Sequence, residues 1–195
     1  MRYLTAFILA ASAALGRAEP YAYIERWATG TLTTGEEFES WRIHVVVPDG
    51  DDWVASSIDG WLTGGPTWYE DPTGVTPRPD LFPAYPDAEF ATYWTTPHLY
   101  PNSDLVDGVG MTADLVLEPT YLHLGGWFDT TFDTDGDYVV WQGTVLNPVA
   151  DTYGTVEFAY ATHPEPFVEY LTFLIPEPGS GLLLLAPGAC LLRRR

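Results

Sequence analysis

The stretch of this sequence best suited to chemistry is Asp133-Thr134-Asp135-Gly136-Asp137. Alternating carboxylates on one extended loop can aim several hard oxygens at a calcium ion, which takes roughly six to eight of them. Asp129 lies close enough upstream to join. The spacing is not that of a helical calcium loop. Counted from Asp133, the glycine position holds Tyr138 and the closing glutamate position holds Thr144. What survives is a strand-loop-strand calcium site on Asp133, Asp135 and Asp137, with a plain polar hairpin turn between Phe132 and Tyr138 as the alternative. Asp49, Asp51 and Asp52 form a second acidic turn, where crowded like charges mainly call for water.

Other constellations are thinner. His44, His98, His123 and His163 are widely spaced, and none has a second histidine at metal-ligand spacing. His44 and His123 fall inside strand patterns, where a hydrogen-bonded sheet histidine is expected. The chain has no Gly-x-Ser-x-Gly elbow, no phosphate-cradling glycine loop and no zinc-protease helix motif. Carboxylate pairs for glycoside hydrolysis are too abundant to single one out, although Glu70-Asp71, in an aromatic stretch, is the first to consider. No catalytic residue and no cofactor beyond that conditional calcium ion are expected. Trp41, Trp53, Trp61, Trp68, Trp94, Trp127 and Trp141 offer indole faces suited to stacking on a pyranose ring. Trp41, Trp53 and Trp141, which lie in strand patterns, are expected in the core. Trp68 and Trp94, in the least regular part of the chain, are the candidate carbohydrate contacts.

The elements that must position these residues are strands. Trp41–Val47 puts Trp41, Ile43, Val45 and Val47 on one face and Arg42, His44 and Val46 on the other. Pro48-Asp49-Gly50-Asp51-Asp52 reads as a turn, and Trp53–Leu62 as the return strand of a hairpin. Tyr21–Thr29 and Thr31–Thr34 read as short pieces divided by Gly30. Residues 63–107 hold eight of the seventeen prolines and many aromatics. This stretch is expected to be a long loop folded over one face or end of the domain. Met111–Leu117, Thr120–Trp127, Tyr138–Leu146, Gly154–Ala161 and Phe167–Leu174 resume the strand pattern. No amphipathic helix stands out. The expected fold is all-β: a single β-sandwich of jelly-roll-like type spanning residues 19–174.

Both ends read differently. Met1-Arg2, the apolar Tyr3–Leu15 and the small residues of Gly16-Arg17-Ala18 form a secretory signal peptide over residues 1–18, with cleavage after Ala18. At the other end, residues 175–195 fall into three parts. Pro176-Glu177-Pro178 is a rigid extended tripeptide. Gly179–Leu192 is an uncharged, leucine-rich run of 14 residues, interrupted by Pro187. A bilayer core asks for roughly 20 helical residues, so this segment spans poorly as a short hydrophobic helix. Arg193, Arg194 and Arg195 close the chain as a cluster held on the cytoplasmic side.

This order of parts resembles the PEP-CTERM sorting signal of exported bacterial proteins. The resemblance implies recognition of Pro176, Glu177 and Pro178 by an exosortase-type membrane enzyme, with Arg193, Arg194 and Arg195 as stop-transfer anchor. It further implies transient residence in the inner membrane, then release to the cell surface or extracellular matrix. A signal peptidase would be the second processing partner.

Charge narrows the remaining partners. Residues 19–177 contain all 27 acids against Arg26, Arg42 and Arg78, a net of −24, and the chain has no lysine. Phosphate backbones would be repelled, which excludes nucleic acid. Divalent cations, cationic partners and neutral polymers such as extracellular polysaccharide fit the charge. The single cysteine, Cys190, lies in the tail, so the domain has neither disulfide nor thiol chemistry. The sequence therefore leads to a non-catalytic secreted or surface protein, with a carbohydrate-binding module and, behind it, a secreted glycoside hydrolase as alternatives.

Overall fold

Period-two alternation of apolar side chains turns most of this chain into antiparallel strands. The structure, a computed structural model, describes residues 18–70, 79–95, 110–111, 115–128, 136–149, 153–163 and 167–175. The strands in chain order are β1 (Tyr21–Thr31), β2 (Glu37–Val47), β3 (Asp52–Thr63), β4 (Thr67–Trp68), β5 (Tyr93–Trp94), β6 (Gly110–Met111), β7 (Leu115–Leu117), β8 (Tyr121–Phe128), β9 (Gly136–Leu146), β10 (Tyr153–His163) and β11 (Phe167–Ile175). One turn of 3-10 helix, Pro86–Phe90, is the helical element among the described residues.

Two antiparallel sheets result. Sheet A runs β1-β2-β9, with β4 and β5 end to end along the outer side of β9. Sheet B runs β11-β10-β3-β8, with β6 and β7 both on β8. The sheets share one core, in a sandwich-like arrangement. Trp41, Ile43, Val45 and Trp141 of sheet A meet Trp53, Ile58, Leu122, Trp127 and Phe158 of sheet B there. Six of the eight tryptophans lie in this core. Trp53 Nε1 donates to Ser56 Oγ and Trp127 Nε1 to the Thr95 carbonyl. The indole N–H groups of Trp68, Trp94 and Trp141 are buried without an acceptor among the described residues. Apolar burial and edge-to-face contacts, such as Trp68 against Trp141 at 6.0 Å, must offset that cost. The Trp141 ring folds back over Gly143, where an added Cβ would meet Trp141 Cη2 at 2.0 Å. Only glycine leaves room for the ring.

The sheet assignment corrects three sequence expectations. β2 and β3 are not a hairpin: they belong to different sheets, so Pro48–Asp52 carries the chain from one layer to the other. Asp51 and Asp52 are buried in that crossing rather than bathed in water. The pieces expected on either side of Gly30 form one strand, β1, whose irregularity falls at Trp27, where a bulge shifts the register.

The third correction concerns residues 63–107, which are not merely a loop. The described parts supply β4 and β5 to the edge of sheet A and lay Tyr85–Thr95 across the sheet's outer face. Asp87 accepts from both the amide and the hydroxyl of Thr33, in the β1–β2 turn. Phe90 packs on Phe38 at 4.5 Å and on Trp27 at 5.6 Å. Beneath this segment the sheet presents Ser40, Arg42, Gln142 and Thr144, all buried. Arg42 lies under the Trp27 ring, with Cζ 3.5 Å from its centroid. Ser40 and Thr144 hydroxyls are 2.5 Å apart, and Thr92 Oγ1 accepts from the Thr144 amide at 3.1 Å. Gln142 is the hub. Its Oε1 accepts from Arg42 Nε at 2.9 Å and Tyr93 OH at 3.0 Å. Its Nε2 donates to the carbonyls of Glu89 and Ala91, both at 3.0 Å. Every hydrogen-bonding position of the amide is therefore filled.

Replacing that amide by an apolar group of similar size removes its bonds to two carbonyls, to Arg42 Nε and to the Tyr93 hydroxyl. Gln142→Leu is expected to lower unfolding stability by about 2–4 kcal/mol, read as a fall in urea midpoint. An unchanged midpoint would show that the segment is held by other contacts.

Candidate functional site

Trp68 and Trp94 are not a carbohydrate platform. β4 and β5 pair with β9 so that both indoles point into the core, where they are 4% and 1% exposed. Alternation along a two-residue strand explains it: Tyr93 turns outward to Gln142 while Trp94 turns inward. Beside Trp68 is a hollow of about 140 Å³ lined by Thr67, Trp68, Glu70, Leu117, Glu118 and Pro119. Two carboxylates line it, as a hydrolase cleft would require. Its volume is well under the roughly 300–1,000 Å³ of typical ligand pockets, room for water rather than a sugar. Asp71 lies outside the described residues.

Of the candidate calcium ligands, Asp133 and Asp135 lie outside the described residues, as does Asp129. Asp137 lies on β9 and is already engaged. Its Oδ1 is 2.8 Å from His44 Nδ1, and its Oδ2 accepts from Tyr23 OH at 2.8 Å. His44 Nε2 is 2.9 Å from Glu25 Oε1, and the Tyr23 and His44 rings stack at 4.6 Å. These contacts clasp β1, β2 and β9 together. Burial pushes the Asp137 carboxyl up, but the hydrogen bonds from His44 and Tyr23 outweigh it and hold the group below its ordinary value. Burial, then the bond to Asp137, raises the Tyr23 phenol. Glu39 behaves oppositely. Burial lifts its carboxyl above the ordinary value, and Arg26, 3.9 Å away, offsets this only in part.

The open surface lies on sheet B. Nothing described covers its outer face, and cross-strand pairing arranges the side chains there in rows. One row crosses Leu174, Thr155, Trp61 and Tyr121; the next crosses Thr172, Glu157, Asp59 and His123. Trp61 is 40% exposed, Tyr170 81% and Leu174 71%. The Trp61 and Tyr121 rings are 5.6 Å apart and tilted by 33°, and Tyr121 and His123 stack within 11° of parallel. Asp59 fixes the alignment, because its Oδ1 lies 2.7 Å from His123 Nδ1 and accepts from Tyr121 OH at 2.9 Å. Directly opposite Asp59, on β10, stands Glu157, exposed and without an ion pair or hydrogen bond among the described residues. Arg26 and Arg42, the described arginines inside strands, both belong to sheet A.

Sequence reasoning singled out neither Trp61 nor Asp59 as a surface pair. The signal was present in β3, where Ile58, Gly60 and Leu62 alternate with Ser57, Asp59 and Trp61. His123 is the hydrogen-bonded sheet histidine its strand pattern suggested, and His44 is another. His163 is exposed at the end of β10, and His98 lies outside the described residues. No group of three or more metal-ligating side chains suited to a metal ion is found among the described residues. No protein-family model matches the chain, and no curated protein matches it.

The two shifted carboxyls set opposite pH dependences. Asp137, held low, stabilises the fold above the ordinary carboxylate range of about 4, and that contribution is lost as pH falls through its lowered value. Glu39, held high, favours the fold below that range, a contribution lost as pH rises through its raised value. At about pH 7, Glu39→Gln is therefore expected to raise the urea midpoint and Asp137→Asn to lower it, with the Glu39→Gln gain gone by about pH 4. Midpoints that move in the same direction at neutral pH would contradict this assignment.

Proposed function

We propose that this chain is a non-catalytic exported protein of the cell surface or extracellular matrix. A signal peptidase releases it after Ala18, and an exosortase-type enzyme recognises Pro176-Glu177-Pro178. Residues 179–192 and the terminal arginines Arg193, Arg194 and Arg195 hold it briefly in the inner membrane. One observation carries the reading: the described strands fill the stretch between the two sequence signals. β1 starts at Tyr21, just past Ala18, and β11 ends at Ile175, immediately before Pro176. Ile175 is 4% exposed and belongs to the core. Trimming at both places leaves every described strand and the described core whole.

The domain so released is a single sandwich whose consecutive strands cross between sheets, as β2–β3 and β9–β10 do, a feature it shares with jelly-roll arrangements. Its acidity keeps it soluble and repels phosphate polymers. A second reading, carbohydrate binding, is favoured by a different feature from the one sequence reasoning chose: the exposed aromatic row of Trp61 and Tyr121 on sheet B.

The test is intact-mass analysis of the protein from membrane and culture-medium fractions, alongside a variant with Pro176, Glu177 and Pro178 all changed to alanine. The native chain should appear outside the cell without residues 1–18 and without its arginine-terminated tail. The variant should stay in the membrane fraction with Arg195 in place. A native chain that keeps Arg195 and stays in the membrane would overturn the proposal.

A further inference from the structure

We infer that the outer face of sheet B binds an amino-sugar polysaccharide. A sugar ring stacks on Trp61 and Tyr121, and its protonated amine is held by Glu157 and Asp59. The inference deepens the exported-matrix reading, which supplies only the compartment where such a polymer would be met.

Geometry gives the site its shape. Trp61 and Asp59 are two residues apart on β3, so their side chains leave the same face about 7 Å from each other along the strand. That is the width of one hexose. An apolar sugar face over the Trp61–Tyr121 row therefore places a ring substituent above the Glu157–Asp59 row. The row is built before any ligand arrives: Asp59 holds Tyr121 and His123 in register through 2.9 and 2.7 Å contacts. A fixed strip loses little side-chain freedom on binding.

Charge selects the occupant. Glu157 and Asp59 are directly opposed across β3 and β10, an arrangement that is destabilising for like charges unless a cation lies between them. Asp59 has the His123 ring beside it; exposed Glu157 has no partner among the described residues. Uronate or phosphate polymers would be repelled. A neutral glycan could stack but would leave the carboxylate repulsion unrelieved. A second copy of this chain, docked face to face about a twofold axis, would bring the same two carboxylates against themselves. A protonated sugar amine relieves the repulsion and adds attraction to the indole face.

Titration calorimetry of the purified full-length chain with a β-linked glucosamine oligomer, in low salt at about pH 6, where sugar amines are protonated, tests this. Saturable binding is expected, weakened about tenfold or more by Trp61→Ala and by Glu157→Gln, and about tenfold weaker for the N-acetylated oligomer. Trp61→Phe, which keeps a stacking ring, should bind within about threefold of the native chain, which covers the case where Trp61→Ala disturbs the fold. Oligolysine should bind more weakly and be indifferent to Trp61→Ala. The inference falls if the glucosamine oligomer does not bind, if oligolysine binds as tightly, or if the N-acetylated oligomer binds equally well. It falls also if the Trp61 substitution abolishes self-association of the chain instead. Each result is read on purified protein, so it is independent of whether the tail directs export.

Discussion

The side-chain amide of Gln142 lies between sheet A and the segment crossing its outer face, with both donor and both acceptor positions filled. Arg42 and Tyr93 approach its oxygen; the carbonyls of Glu89 and Ala91 receive its nitrogen. Buried amides are costly unless satisfied, and this one is satisfied only while Tyr85–Thr95 stays in place. The same segment carries Trp94 into the core and covers Phe38 with Phe90. One face of the sandwich is thereby closed. The other, on sheet B, has nothing described over it and carries Trp61, Tyr121, Asp59 and Glu157.

The ends of the chain obey a complementary constraint. Ile175 completes the core at the end of β11, and the sequence turns at once to Pro176, whose ring can neither donate to a ladder nor continue it. A net charge of −24 over residues 19–177 repels anionic surfaces.

Much of the fold was legible in the sequence, because alternation reports local geometry. Trp41, Ile43, Val45 and Val47 are buried on one face of β2 as their spacing required. Alternation does not report which strands pair. Pro48–Asp52 looked like a hairpin turn, but its flanking strands found partners far along the chain, β9 for β2 and β10 for β3. The proline-rich stretch hid β4 and β5 because two residues carry no period. Trp68 and Trp94 therefore looked like surface aromatics when their pairing to β9 turned them inward. Trp61 was overlooked for the converse reason: it lies inside a clean strand, where tryptophan is expected in the core. Its exposure depends on sheet B having nothing described over its outer face, which is a property of the assembled layers.

That asymmetry between faces is the central claim. Hydroxyl-radical footprinting of the native protein, read residue by residue by mass spectrometry, tests it most directly. Trp61, Tyr153 and Tyr170 should be modified rapidly, while Trp68, Trp94, Trp127 and Trp141 stay protected until the protein unfolds. Modification of Trp68 and Trp94 at the rate of Trp61 would contradict it, because β4 and β5 would then not be held on β9 with their indoles turned into the core.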